Sequence, residues 1–307
     1  MKVLITDAVH PLLAAGLTQR GYQVTYLPAI TFTETLAMIE PYTGLVVNSK
    51  IYCGSELLAQ APHLKWIARL GSGMEVIDTL ACEAKGVQYF NTPEGNCDAV
   101  GEHALGLLLS LLRNIAAAHR QIVQGEWHRE LNRGHSLNGK TVGIIGFGHT
   151  GQALANVLQG FDVRILAHDK YQPIPAMPKV IAATQAEIQQ QADIISFHLP
   201  LTSETTHYAN ATFFEQCVKD VIVINTSRGA VMDTEALLKS LQTGKIKMAG
   251  LDVYENERAE AMLTDPQWLE LRKQQQVILT PHIAGWTHES KQKLAEMVLT
   301  KLDSCSI

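Results

Sequence analysis

The sequence contains no apolar run of the roughly 20 residues that a membrane-spanning helix needs, although 46% of its 307 residues are hydrophobic. Its five cysteines are scattered and lack CxxC spacing, which argues against a disulfide framework or a zinc site and fits a reducing cytoplasm. The formal charge is -5 and no basic run is present, so nucleic acid and anionic membranes are not expected partners. These absences favour a cytoplasmic globular protein whose partners are small molecules.

The N-terminus also lacks the marks of a signal peptide. Asp7, His10 and Pro11 interrupt its short apolar stretch, and no small-residue cleavage site follows. This segment is therefore expected to form the first strand and helix of the fold. Low-complexity segments and repeats of short fixed period are absent from the sequence as well.

Apolar, β-rich segments alternate with helical segments along nearly the whole chain. Such alternation predicts parallel α/β sheets, and the length suggests two domains. The strands form two groups, and the stretch ALGLLLSLL between them has helical spacing, which predicts one long helix from Asp98 to Gln124. The polar segment GEWHRELNRGHSLNGK after it is expected to be an exposed arm. We therefore expect an α/β protein with two Rossmann-like, doubly wound parallel-sheet domains separated by a cleft.

The most specific local motif is a glycine loop between an apolar strand, TVGII, and a helical segment. Gly146 would permit the tight turn, Gly148 would let a pyrophosphate approach the backbone at a helix N-terminus, and Gly151 would allow close helix packing. Asp169 ends the next strand, 18 residues after Gly151, where a carboxylate would bind the adenosine ribose hydroxyls and repel a 2'-phosphate. A lone GxGxxG is often an ordinary turn, but this context predicts an NAD site.

Three polar residues follow later strands of the same half: Arg228, Glu257 and His282. Ligands bind at strand ends in open α/β sheets, so these three are candidates for catalysis. Each has a structural alternative when taken alone. Arg228 could pair with a helix, Glu257 could be a solvated loop residue, and His282 could be a core histidine. Their combination with a dinucleotide site outweighs these alternatives.

Several segments, in order along essentially the whole chain, resemble the D-isomer-specific 2-hydroxyacid dehydrogenase family, and most closely its short D-3-phosphoglycerate dehydrogenases. These segments are ARLGSGMEVID, NTPEGNCDAVGEHALGLLL, the glycine loop with Asp169, FHLPLTSET, INTSRGAVMD, LDVYENE and TPHIAG. The resemblance implies hydride transfer between a nicotinamide cofactor and the second carbon of a small D-2-hydroxy acid.

The resemblance also implies roles for the three polar residues. His282 would be the acid/base, Glu257 its hydrogen-bonded partner, and Arg228 the group that binds the substrate carboxylate and polarises its carbonyl. Reduction of a 2-keto acid requires a proton for the developing alkoxide, which a histidine supplies near neutral pH. A neighbouring carboxylate favours the imidazolium and fixes its ring, and a guanidinium binds a carboxylate through two directed hydrogen bonds.

Further contacts are implied by the family likeness alone. Backbone amides around Ser72 and Gly73 would bind the substrate carboxylate from the other domain. The remaining cofactor contacts would be made by His149 and Thr150 at the pyrophosphate, Thr226 and Ser227 along the cofactor, Asp252 at the nicotinamide carboxamide, and Ala284 and Gly285 beside the nicotinamide. His198, in FHLP, is expected to line the cofactor site without taking part in catalysis. No metal is expected, because the histidines lack the paired spacing of a metal site.

These assignments divide the chain into domains. Residues 1–97 and 283–307 are expected to form the substrate domain, and residues 98–282 the NAD-binding Rossmann domain inserted in it. Closure of the cleft would exclude water from the reaction. Trp127 lies on the arm, where related enzymes pair their cofactor domains, so a homodimer is expected.

The substrate is the least specified part of the prediction. Arg69 matches a position that contacts the substrate phosphate in phosphoglycerate dehydrogenases, whereas Asn48 stands where those enzymes often have a second arginine. Lys50, or Arg129 and Arg133 from the arm, could supply the missing cation. Phosphoglycerate, and with it serine biosynthesis, ranks first, and a glyoxylate or hydroxypyruvate reductase is the alternative. A C-terminal regulatory domain is not expected, nor is serine feedback through such a domain.

A binding protein is the alternative of another class. Some proteins of this fold sense NAD in transcriptional corepression and keep the cofactor site. The complete set of Arg228, Glu257 and His282, together with the absence of a recognition tail, disfavours that function here.

Overall fold

The computed structural model describes residues 1–258 and 260–304, so Cys305 lies outside the described residues. The chain divides into two compact units: residues 1–97 with the segment from Trp286 onward, and residues 98–285. The second boundary falls after Gly285 rather than after His282, because backbone NH groups of the intervening loop donate to Asp252 in the second unit. No helix within the described ranges is long and apolar enough to span a membrane.

The first unit is a five-stranded parallel sheet flanked by helices. Its strands are β1 (Lys2–Ile5), β2 (Gln23–Tyr26), β3 (Gly44–Val47), β4 (Trp66–Arg69) and β5 (Gln88–Asn91), in the order β2-β1-β3-β4-β5. Its helices are α1 (Pro11–Gln19), α2 (Phe32–Met38), α3 (Ser55–Gln60), α4 (Thr79–Lys85) and, from the end of the described chain, α13 (His288–Ser304). A short 3-10 turn, Pro93–Gly95, follows β5.

Helix α13 belongs to the first unit because its apolar side completes one of the two cores there. Val298 and Leu302 are buried in the same cluster as Val46 and Trp66 of the sheet. Leu45, one residue before Val46, points into the cluster on the other side of the sheet. Both faces of this parallel sheet are therefore covered, as a sheet of this type requires.

The second unit is a seven-stranded parallel sheet. Its strands are β6 (Thr141–Ile145), β7 (Arg164–His168), β8 (Val180–Ala182), β9 (Ile194–Phe197), β10 (Val221–Asn225), β11 (Ile246–Leu251) and β12 (Val277–Leu279). Its helices are α5 (Cys97–Leu112), which starts at the boundary, α6 (Ile115–Val123), α7 (His149–Leu158), α8 (Gln185–Gln191), α9 (Ala211–Glu215), α10 (Thr234–Gln242), α11 (Ala261–Thr264) and α12 (Pro266–Leu271).

The strand order in this sheet is β12-β11-β10-β9-β6-β7-β8, so the direction of winding reverses between β6 and β9. Open α/β sheets bind ligands outside the carboxyl ends of the strands at such a switch point. Buried side chains alternate between two cores: Val221 and Val223 of β10 lie in one, and Ile222 and Ile224 in the other. The predicted fold class, two α/β domains with parallel sheets, is confirmed.

One predicted helix is wrong, and one strand of the second unit was not predicted. The single helix expected from Asp98 to Gln124 is broken, because Asn114 has φ 51°, in the left-handed region, and separates α5 from α6. The short strand β8 carries only three residues, too few for its alternation to be recognised in the sequence. Beyond α6 the arm leaves Trp127 76% exposed.

Candidate active site

The glycine loop joins β6 to α7. Gly146 has φ 88°, in the left-handed region that a residue with a Cβ rarely adopts, and an added Cβ would overlap the carbonyl oxygen of His198. A Cβ at Gly151 would overlap the carbonyl oxygen of Gly146. Both positions require glycine, because the chain turns tightly here and the helix packs directly on the turn.

Helix α7 begins at His149, and its N-cap residue Gly148 makes no side-chain hydrogen bond. The first NH groups of the helix are therefore left for another acceptor. Gly148 and His149 are exposed, and Thr150 is half-buried beside them. Exposed NH groups and the dipole of this ten-residue helix favour an anion such as a phosphate.

His198 lies directly after β9, and its ring contacts side chains of β9 and of helix α7. Its Nε2 is 2.9 Å from Ser196 Oγ, and its Nδ1 is 3.1 Å from Thr150 Oγ1. Burial lowers the pKa of His198 to about 4, so the ring is neutral at neutral pH. A neutral ring with both nitrogens engaged holds the end of β9 against α7.

Asp169 follows β7, on the other side of the switch point from β9. Its Oδ2 accepts a hydrogen bond of 2.8 Å from the NH of Phe147 in the glycine loop, and its Oδ1 accepts from Tyr171 and Gln172. Burial by itself would raise the pKa of Asp169, but these three backbone donors outweigh it and lower the pKa. The carboxylate is therefore ionised and held beside the loop, as ribose binding requires.

The turn after β10 contains the predicted cofactor residues Thr226 and Ser227. Asn225, which the sequence analysis did not single out, fixes this turn: its Oδ1 accepts from Ser227 Oγ at 2.8 Å and its Nδ2 donates to the Arg228 carbonyl at 3.0 Å. Thr226 Oγ1 is buried and has no hydrogen-bond partner among the described residues. A buried hydroxyl is expected to be paired, so this atom, with the glycine loop and Asp169, fits a bound dinucleotide.

His282 and Glu257 form a close pair. Nδ1 of His282 lies 2.6 Å from Glu257 Oε2, and the other carboxylate oxygen accepts from the NH of Tyr254 at 3.0 Å. The side chains are 48% and 35% exposed, so a substrate can reach the ring. With Nδ1 held by a carboxylate, Nε2 is the nitrogen left for proton transfer.

The loop that carries His282 is anchored by the fully buried Asp252. The Asp252 carbonyl accepts from the His282 NH at 2.8 Å, and its carboxylate accepts from the NH groups of Ile283 and Ala284 at 2.9 and 2.7 Å. His282 has φ 53°, a conformation that costs energy unless its surroundings hold it. The expected contact of Asp252 with the nicotinamide carboxamide stays a prediction; the structure shows that it holds this loop, which ends at Gly285.

Two further side chains complete the Asp252 anchor, and neither was predicted from the sequence. Thr280 Oγ1 donates to Asp252 Oδ1 at 2.6 Å, and His103 Nε2 lies 3.0 Å from the same hydroxyl. Because the hydroxyl proton points to the carboxylate, His103 Nε2 must carry its own proton and donate. Burial by itself would raise the pKa of Asp252, but these bonds and the backbone donors lower it.

Arg228 is half-buried at the start of the segment after β10, and its Nη1 donates to the Ser227 carbonyl at 2.7 Å. Strands β10, β11 and β12 are adjacent in the sheet, and Arg228, Asp252 and His282 follow their carboxyl ends. The structure thus brings the predicted catalytic residues of the second unit to one edge of its sheet, on the same side as the glycine loop after β6.

The predicted substrate residues lie in the first unit: Arg69 ends β4, and Ser72 and Gly73 are in the loop after it. The loop there is fixed by side chains the sequence analysis did not name: Thr92 Oγ1 accepts from the Gly71 NH at 3.0 Å, and Asn91 Nδ2 donates to the Ser72 carbonyl at 2.6 Å. Each bond joins the β4 loop to the end of the neighbouring strand β5.

The candidate phosphate-binding cations have other contacts in the structure. Lys50 Nζ donates to the Pro28 carbonyl at 2.6 Å, and Arg133 forms an exposed pair with Glu130 at 2.6 Å. Asn48 donates its backbone NH to Asp7 at 2.9 Å. The Arg133–Glu130 pair is exposed, so it contributes little.

Comparison with known proteins identifies the family of the chain. Residues 105–284 match the family "D-isomer specific 2-hydroxyacid dehydrogenase, NAD binding domain". The hydroxypyruvate reductase of Thermotoga maritima is 34% identical over 88% of this chain and 86% of that protein. The glyoxylate reductase of Thermococcus litoralis is 39% identical over 80% of this chain and 75% of that protein.

Human D-3-phosphoglycerate dehydrogenase is 33% identical over 97% of this chain, which spans 55% of that protein's length. The crystal structure of D-lactate dehydrogenase from Aquifex aeolicus with NAD and lactic acid has a TM-score of 0.82 and 25% identity, covering 99% of this chain and 95% of that one. The chain therefore belongs to the D-isomer-specific 2-hydroxyacid dehydrogenases, NAD-dependent oxidoreductases that act on the CH-OH group of 2-hydroxy acids.

Proposed function

We propose that this enzyme interconverts a D-2-hydroxy acid and its 2-keto acid with Arg228, Glu257 and His282 as its catalytic residues. The observation that carries the proposal is the 2.6 Å contact between His282 Nδ1 and Glu257 Oε2. This pair stands in the same unit as a loop and an acidic residue suited to a dinucleotide. A proton donor and a hydride carrier are the two requirements of 2-keto acid reduction.

NADH, when bound, supplies the hydride for the carbonyl carbon. His282 donates the proton to the carbonyl oxygen from Nε2, and Glu257 keeps the ring oriented through its contact with Nδ1. The Arg228 guanidinium binds the substrate carboxylate and stabilises the oxygen on which negative charge develops. In the reverse direction His282 accepts the hydroxyl proton of the D-2-hydroxy acid.

Backbone NH groups of Ser72 and Gly73 are proposed to bind the substrate carboxylate. The bonds that Asn91 and Thr92 make to this loop support the proposal, because a fixed loop presents its NH groups without an ordering cost. Arg69, at the end of β4, is proposed to bind the more distant part of the substrate.

D-3-phosphoglycerate is the first candidate substrate, which would make this a serine-biosynthesis enzyme. Arg69 supports it, as does the match of 97% of the chain to phosphoglycerate dehydrogenases. Hydroxypyruvate or glyoxylate is the second candidate. Asn48 at the position of a second arginine and the engagement of Lys50 by Pro28 favour that alternative.

The test is NADH oxidation by purified protein with 3-phosphohydroxypyruvate, hydroxypyruvate, glyoxylate and pyruvate. His282→Ala is expected to lower kcat by about 10²- to 10⁴-fold on the preferred acid, while the exposed His63→Ala leaves it unchanged. The acid with the highest kcat/KM identifies the substrate. Wild type and His282→Ala that are equally inactive on every acid would instead support an NAD-binding protein without turnover.

A homodimer is proposed from the apolar surface of α6 and the arm. Trp127, Val123 and Leu131 are more than 70% exposed, and Ile122 is 53% exposed. No residue of α6 is buried. A cluster of large apolar side chains in contact with water favours a protein partner, and a second copy of this chain is the one that the family likeness implies.

A further inference from the structure

An ion-pair cluster lies next to Asp169 that the proposed reaction does not use. Lys170 Nζ is 2.6 Å from Glu204 Oε2, and the same oxygen accepts a hydrogen bond from Tyr171 Oη. Lys170 also lies over the Tyr171 ring, 5.2 Å from its centroid. Lys170 and Tyr171 directly follow Asp169, whereas Glu204 comes from the segment after β9, 34 residues from Lys170. The cluster therefore links the chain segments that follow β7 and β9.

The contacts fix the charges of the cluster. The hydrogen bond with Glu204 raises the pKa of Lys170, and the bond with Lys170 lowers the pKa of Glu204. Asp169 is ionised as well, so the three groups together carry a net negative charge. Lys170 is the residue next to the proposed ribose-binding carboxylate, and its ammonium is held by Glu204 in this arrangement.

We propose that Glu204 is a second determinant of the preference for NAD over NADP. It binds Lys170 and so withholds a cation from a 2'-phosphate. This inference rests on the proposed role of Asp169 at the adenosine ribose. A lysine is a good ligand for phosphate when its ammonium is available, so the selectivity depends on the partner of Lys170 as well as on Asp169.

The carboxylate of Asp169 is held by the backbone, whereas the ammonium of Lys170 is held by a side-chain partner. The carboxylate is held by three backbone NH groups, so it keeps its place when the ligand changes. Lys170 has a flexible four-carbon stem and is 64% exposed. Without Glu204 it could turn toward a phosphate beside Asp169 and offset the repulsion. Exposed ion pairs contribute little to folding, so Glu204 can be replaced without loss of the fold.

The test measures cofactor affinity in the absence of substrate, by calorimetric titration of NADH and NADPH. The variants are Glu204→Gln, Lys170→Gln and the double variant that combines them. Each of the three is also combined with Asp169→Asn. Glu270→Gln is the control, because it removes the same charge from another exposed pair with a lysine, Lys273, in the same unit. Glu204→Gln is expected to tighten NADPH binding about three- to tenfold, the range of one exposed charge contact, with less than a twofold change for NADH.

The double variant Glu204→Gln with Lys170→Gln is expected to lose the gain in NADPH affinity. Adding Asp169→Asn to Glu204→Gln is expected to enlarge that gain. The inference would be overturned if the ratio of NADPH to NADH affinity were the same in Glu204→Gln and Glu270→Gln. NADH binding by both variants would still support the proposed cofactor site. A gain that survives removal of Lys170 would also overturn the inference. Wild-type protein that binds neither nucleotide would instead contradict the proposed function.

Discussion

Asp252 shows how a single buried side chain controls the geometry of an exposed one. Its carboxylate accepts bonds from Thr280 Oγ1 and from two backbone NH groups, and its carbonyl accepts from the NH of His282. His282 is therefore held at a positive φ beside Glu257 by bonds that its own side chain does not make. The proposed acid depends on Asp252 for its position, although Asp252 need not touch the substrate.

Thr280 offers a direct test of this anchor. Thr280→Val removes the hydroxyl that joins His103 to Asp252 and takes one hydrogen bond from the buried Asp252 carboxylate, which we expect to cost about 1–3 kcal/mol in the free energy of unfolding. Because the His282 loop is then less constrained, kcat should also fall about tenfold. Urea denaturation and steady-state kinetics measure the two effects.

Thr280→Ser is the matched control, since it keeps the hydroxyl and should retain most of the activity. A valine variant with wild-type kcat and wild-type stability would show that the hydroxyl does not anchor the loop.

Two glycines in the turn between β6 and α7 are required for different reasons. At Gly146 the backbone needs a positive φ and a Cβ would overlap the His198 carbonyl, whereas a Cβ at Gly148 would meet nothing within 4 Å. The first glycine is required by the fold. The second is required only if a ligand approaches the backbone there.

Alanine substitutions at these two positions should therefore have different effects, one on stability and the other on NADH binding. Gly146→Ala is expected to destabilise the protein by about 1–3 kcal/mol, measured by urea denaturation. Gly148→Ala should leave the free energy of unfolding unchanged but weaken NADH binding about tenfold, measured by titration. Equal NADH affinity in wild type and Gly148→Ala would count against a pyrophosphate at this turn.

The strand order explains why the site is assembled from distant parts of the chain. The segments after β10, β11 and β12 meet because these strands are neighbours in the sheet. His103 and Thr280 are 177 residues apart but 3.0 Å from each other. Hydrophobic patterns locate each strand, but its neighbours are decided by the packing of the whole unit.

The pH dependence of folding should report the burial of His198. Its pKa is about 4 in the folded protein and near 6.5 in the unfolded chain. The unfolded chain thus binds the proton more readily, so stability is complete above pH 6.5 and is lost as the pH falls toward 4. The loss attributable to this one residue is up to about 3 kcal/mol.

Urea denaturation at pH 7.5 and pH 5 checks this expectation. His198→Asn should lower stability at pH 7.5 but flatten the dependence on pH, while the exposed His63→Asn should follow the wild type. The same slope in wild type and His198→Asn would contradict the assignment of a neutral buried ring.

The assembly of the whole molecule is tested at the arm. Light scattering after size exclusion is expected to give twice the 33.7 kDa mass of the chain. Trp127→Glu with Leu131→Glu should yield the monomer, because charges cannot be buried in an apolar interface without a partner. Leu263→Glu, at an apolar residue that is 73% exposed outside the arm, is the control. A wild-type monomer would contradict the proposed dimer.

The fold class and the glycine loop could be predicted from the sequence because their signals are local. Buried strands appear in the sequence as short apolar runs, and the tight turn at Gly146 requires glycine. Neither signal depends on residues elsewhere in the chain. The break at Asn114, the strand β8 and the boundary at Gly285 could not be predicted in the same way. Each depends on contacts with residues far along the chain or on a segment too short to show a period.

The sequence by itself determined the family, the NAD cofactor and the identity of the candidate catalytic residues, since specific residue types at fixed places in a motif carry that chemistry. Only the tertiary structure decided that Asp252, Thr280 and His103 anchor the His282 loop, and that Glu204 engages Lys170 beside Asp169. The physical reason is that hydrogen bonds and ion pairs act over about 3 Å, and the distances between side chains are set by strand order and packing.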